Sequence, residues 1–136
     1  MQSYRDLEIY KTAHRLALEI HKLTLGLPKF ELYEEGSQIR RASKAVPANI
    51  VEGFCRKRYQ QEYLRFLIFA HGSCNETLEH LELLKDTGAL KDAQSFEQIK
   101  ASYESLGKKL NRLIQVISEG INGPRLKAQD PKQAVP

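Results

Sequence analysis

DAQSFEQIKASYESLGKKLNRLIQVISE, residues 92–119, places Phe96, Ile99, Tyr103, Leu106, Leu110, Leu113 and Ile117 at alternating steps of three and four. That spacing keeps one side of an α-helix apolar and, sustained over three heptads, makes a coiled-coil-like seam. A helix with such a stripe buries it only against other helices, so the rest of the chain is expected to supply them.

Working outward, three more segments carry the same periodicity. Leu7, Tyr10, Ala13, Ala17, Ile20 and Leu23 predict a helix over about 6–25, stopped by Gly26 and Pro28. Ile39, Ser43, Val46, Ile50 and Phe54 predict one over about 32–56. Pro47 lies inside it and is expected to kink rather than break it. Phe66, Ala70, Ser73, Thr77, Leu81 and Leu84, flanked by Leu67, Cys74 and Leu78, predict a third over about 59–86, with Gly88 as its stop. Ser95 with Gln98 is a candidate capping box for the last helix, over about 92–119. Short connections favour antiparallel neighbours. The predicted architecture is all-α: one up-down-up-down four-helix bundle over residues 1–120. A flexible tail is expected over 121–136, where Gly123, Pro124, Pro131 and Pro136 fall.

The 136 residues suit one domain with a core that needs no staples. The two cysteines, Cys55 and Cys74, form no C-x-x-C and no zinc spacing, and both are expected as small packing residues. No apolar run approaches the roughly 20 residues that span a membrane. A polar opening segment without a signal-peptide pattern predicts a protein of a reducing cytoplasm. The residues three positions before the four histidines are Lys11, Leu18, Ile68 and Thr77, so the paired Glu-x-x-His of a di-iron bundle is missing. No nucleophile elbow, phosphate-binding loop or zincin motif occurs. Neither a catalytic residue nor a metal or cofactor is expected.

Charge is the informative feature. Lysine and arginine number 21 against 17 acids, giving +4. Residues 29–58 hold seven basic and four acidic side chains, whereas 59–90 hold two and five. The cations gather at Arg40, Arg41 and Lys44, then at Arg56, Lys57 and Arg58. These six are the candidate nucleic-acid-binding residues, with Tyr59 and Tyr63 beside them as stacking or packing rings. Asn49, Glu52, Ser73 and Glu76 are the candidate structural polar network. Glu52 and Arg56 are spaced for an i,i+4 pair, and Glu76 is expected half-buried against Arg40 or Arg41. The small residues from Ala70 to Cys74 mark either tight packing within the bundle or close contact between subunits.

The stretch QIRRASKAVPANIVEGF, residues 38–54, resembles the bacterial four-helix-bundle proteins encoded in 23S rRNA intervening sequences. So do EYLRFL at 62–67, AHGSCNET at 70–77 and DLEIY at 6–10, though that family commonly has tryptophan where Tyr10 stands. The likeness spans roughly residues 4–120. It implies a bundle assembled as a ring-shaped homopentamer, and likeness to the basic pentameric accessory variability protein of diversity-generating retroelements, which works with a reverse transcriptase and nucleic acid. It also points to Arg41, Asn49, Glu52, Gly53, Arg56, Ser73 and Glu76. The expected function is non-enzymatic association with RNA or another nucleic acid. The alternative is a protein-interaction adaptor or scaffold, such as a partner of a reverse transcriptase.

Overall fold

The computed structural model describes residues 3–129, with side chains to Asn122. After a 3-10 turn at Tyr4–Asp6 come α1 (Glu8–Leu25), α2 (Lys29–Tyr33), α3 (Glu35–Phe54), α4 (Gln60–Asp86) and α5 (Ala93–Gln129). The four long helices pack in a ring of neighbours: α1 lies against α3 and α5, and α4 lies against the same two. Their directions follow from who meets whom. His14 and His21 of α1 share a groove with Pro47 and Lys44 of α3. His80 near the end of α4 reaches Glu35 at the start of α3. Cys74 and Glu82 of α4 meet Tyr103 and Lys100 of α5. Sequential long helices are therefore antiparallel.

The seam of α5 is the core wall: Phe96, Ile99, Tyr103, Leu106, Leu110 and Ile117 are all buried, and Leu113 packs against them. The α3 stripe of Ile39, Ser43, Val46, Ile50 and Phe54 is buried throughout, and α3 runs unbroken across Pro47. The α4 stripe is rotated from its predicted setting. Tyr63, Leu67, Ala70, Cys74, Thr77, Leu81 and Leu84 are buried, while Phe66 and Ser73 lie on the flank. Two equally apolar, overlapping stripes were available, and packing against both α3 and α5 selected the one that includes Leu67 and Cys74.

Two boundaries and one cap differ from expectation. The segment before α3 is not its first turn but the separate five-residue α2. The chain bends at Glu34, and Arg40 reaches back to donate from Nη2 to the Leu32 carbonyl, 2.9 Å away. Gly36 makes the bend possible, because a Cβ there would stand 2.8 Å from the Glu31 carbonyl oxygen. The cap of α5 is Asp92, which accepts from the amides of Gln94 and Ser95 and from the Ser95 hydroxyl, so Ser95 serves the cap rather than forming a box with Gln98. Those donors hold the Asp92 carboxyl below its usual range. Finally, α5 continues to Gln129, through the first nine residues of the expected tail. Ile121, one helical step beyond Ile117, packs on the core and carries the seam past Gly120. The remainder of that tail, 130–136, lies outside the described residues. At the other end of α4, Gly88 adopts φ +84°, the left-handed stop expected of it.

Gly36→Ala is expected to cost about 1–3 kcal/mol in equilibrium urea unfolding, the range for forcing a methyl into close-packed structure. A cost below about 0.5 kcal/mol would show that the α2–α3 bend relaxes freely.

Candidate nucleic-acid interface

Gly53 is where the interface begins. A Cβ at this position would lie 3.1 Å from Phe66 Cβ and 3.3 Å from the Tyr63 carbonyl, a tight fit that a side chain could take only if α4 gave way by a few tenths of an ångström. The approach buries Phe54 and Tyr63 and leaves Phe66 half-covered beneath the turn that follows α3. Cations then settle on aromatic rings. The Arg56 guanidinium stands 4.8 Å from the Phe66 centroid, and Arg65 stands 4.9 Å from the same ring and 5.5 Å from Phe69. Lys57 Nζ lies 4.3 Å from the Phe54 centroid, and Arg58 lies 5.8 Å from Tyr59. Contacts of this kind fix a cation's direction while leaving its charge toward solvent. Arg65 was missed from sequence; its spacing of four to Phe69 on one helix is the signal that was there to use.

Three of the six predicted cations gather here, and the other three do not. Arg56 donates from Nη1 to Glu52 Oε2 at 2.6 Å and to the Glu52 carbonyl at 2.8 Å, the i,i+4 pair expected, while Arg58 is exposed and Lys57 half-exposed. Lys44 lies three turns away, about 18 Å along the helix, in the groove with His14 and His21. Arg41 is exposed on that same stretch of α3. Arg40 stands apart from both groups: it is half-buried, clamps α2 through Leu32, and its Nη1 has no partner among the described residues. Tyr63 is buried, and burial pushes its phenol up, so of these two tyrosines Tyr59, 62% exposed, is the one open for stacking.

The predicted polar network does not form. Asn49 donates to its own helix at the Ala45 carbonyl, 2.9 Å away, and the Ser73 carbonyl accepts from Thr77. Glu76 is 57% exposed and meets neither Arg40 nor Arg41; its carboxylate is 3.5 Å from His80 Nε2. The polar link between α3 and α4 is instead His80 Nδ1 to Glu35, at 2.8 Å, with both side chains largely covered. Thiol positions diverge as well. Cys74 is buried against the Tyr103 carbonyl, its thiol pushed up to about 11 by burial. Cys55 is exposed beside the basic turn, not packed. Among the described residues no three His, Cys, Asp or Glu side chains gather to hold a metal, and no helix is long and apolar enough to cross a membrane.

His80→Ala should cost about 1–2 kcal/mol by loss of a partly buried charge-assisted bond. Glu76→Ala should stay within about 0.5 kcal/mol, as exposed pairs do. Chemical denaturation of both variants checks the contrast, and equal losses would reverse the assignment.

A family model for the 23S rRNA-intervening sequence protein matches residues 5–112. A crystal structure of a protein of unknown function from the S23 ribosomal protein family of Bacteroides thetaiotaomicron is similar at a TM-score of 0.69 and 24% identity, over 79% of this chain and 95% of that one. No curated protein matches. The chain belongs to the 23S rRNA-intervening sequence protein family.

Proposed function

We propose that this member of the family is a non-enzymatic RNA-associating protein that binds through the end of the bundle built by the α3–α4 turn. The observation that carries the proposal is the cation–aromatic cluster: Arg56, Lys57, Arg58 and Arg65 spread over Phe54, Tyr59, Phe66 and Phe69. Cations neutralise phosphates whatever the sequence, and rings held at the same surface offer faces to unpaired bases. Arg56 answers to Glu52, so Lys57, Arg58 and Arg65 are the main phosphate ligands. Arg65 has a carboxylate neighbour too, Glu62 at 3.2 Å, but the pair is half-exposed and exchanges readily with a phosphate.

The acting unit is a homo-oligomer, a ring of five by the family likeness. Support for association comes from apolar side chains left outside the core: Leu18, Leu25, Phe30, Tyr33, Ile68 and Val116 are each at least half exposed. Gly72 belongs to the same argument. A Cβ there would meet nothing within 4 Å among the described residues, so its smallness serves no packing against them. Such surfaces also suit the second function, an adaptor that holds a different protein.

Replacing Lys57, Arg58 and Arg65 together with glutamine is expected to weaken single-stranded RNA binding and flatten the plot of log affinity against log salt by up to about 2, at 0.7 per phosphate contact. If the folded variant binds as the parent does at every salt concentration, the adaptor function gains. Light scattering should give a particle several times 15.6 kDa; a monomer at micromolar concentration ends the oligomer proposal.

A further inference from the structure

We propose that the cleft between the N-terminal turn and the α3–α4 turn receives one unstacked nucleotide of a single-stranded RNA. This rests on the RNA-association proposal and assigns it a pocket. The cleft has a volume of about 370 Å³ and is lined by Ser3, Tyr4, Phe54, Cys55, Lys57 and Arg58. That volume falls within the range of sites that enclose small ligands, about 300–1,000 Å³.

The two walls have different chemistry. One carries Lys57 and Arg58, and neither is in an ion pair with a described residue. No carboxylate lines the cleft. By contrast, the groove between α4 and α5 sets Glu104 beside Lys108 and would repel a phosphate at one of its sides. The other wall is Tyr4, brought from the far end of the sequence. Its turn is fixed by a reciprocal cap: Ser3 N donates to Asp6 at 3.0 Å, and Arg5 N donates to Ser3 Oγ at 3.2 Å. Its ring is held by a T-shaped contact with Tyr10, centroids 5.1 Å apart, and by the Arg5 guanidinium 4.7 Å from its centroid, which leaves the remaining face for a base. A ring held before the ligand arrives loses little freedom on binding. Stacking on it requires a base to leave its own helix, which single strands permit and duplexes resist. The cleft therefore selects for strandedness, a discrimination that the surface cations alone do not provide.

Cys55 reports occupancy. It lines the cleft and is exposed, whereas the other cysteine, Cys74, is fully buried, so alkylation of the folded chain by iodoacetamide reads Cys55 alone. The full chain is mixed with a single-stranded oligoribonucleotide of about ten residues, a typical site size, or with its duplex. Binding is followed in parallel by fluorescence anisotropy. The single strand is expected to slow Cys55 alkylation at least about fivefold and the duplex to leave it unchanged. Tyr4→Ala should weaken single-strand binding about tenfold, one stacked base, while Tyr4→Phe keeps it. If the single strand binds but Cys55 reacts at the free rate and Tyr4→Ala binds as the parent does, the cleft is not the nucleotide site, and surface RNA binding stands without it. If the parent binds no RNA, both proposals fall together.

Discussion

Helices α3 and α4 pack tightly at Gly53, and the basic end of the molecule is built on that contact. A Cβ at that position would press on the Tyr63 backbone and the Phe66 side chain at 3.1–3.3 Å. With the two helices in contact, Phe54 and Tyr63 turn inward, Phe66 stays at the rim, and the turn from Cys55 to Tyr59 is short enough to stack its cations over the rings. Gly53 thus acts through geometry rather than chemistry. It touches no ligand, yet it decides where four positive charges stand.

The helix α3 is held at both ends by arginines used in opposite ways. Arg56 lies along the surface, tied to Glu52 and resting on Phe66. Arg40 turns under α2 and donates to the Leu32 carbonyl. Between them α3 presents its buried stripe to α1 and α4, and Pro47 sits where its missing donor is accommodated without ending the helix. The charge count of this stretch therefore overstates its free cations. Sequence alone weighs Arg40 and Arg58 alike, while the fold sends one inward and leaves the other in water.

Elements with one strong period were legible. The α5 seam and the α3 stripe could be read directly, because spacings of three and four admit a single buried face. Where two stripes overlapped, as in α4, the choice fell to neighbours that no local pattern names, and Phe66 and Leu67 exchanged places. The end of α5 was misplaced for a related reason: Gly123 and Pro124 read as the start of a tail, while Ile121 still had core to reach. The site was legible only in part. Arg56, Lys57 and Arg58 are contiguous and stay together, but Tyr4 joins them through tertiary packing from more than fifty positions away. Pairings across helices were the least accessible. His80 and Glu35 are 45 residues apart, and spacing said nothing of them.

The five-residue α2 has a consequence of its own. None of its residues is buried, two aromatic side chains, Phe30 and Tyr33, face outward, and its packing is chiefly on α3. A helix of one turn has almost no intrinsic stability in water. What keeps it formed is the bond from Arg40, the bend at Gly36 and the weak reach of Thr87 to Glu31. Its opening free energy is accordingly a small fraction of that of the bundle, so its amides exchange with solvent by local opening while those of α3 and α5 wait for global unfolding. Each such opening frees a guanidinium that the closed form holds half-buried against the Leu32 carbonyl, so the exposure of Arg40 follows the opening of α2.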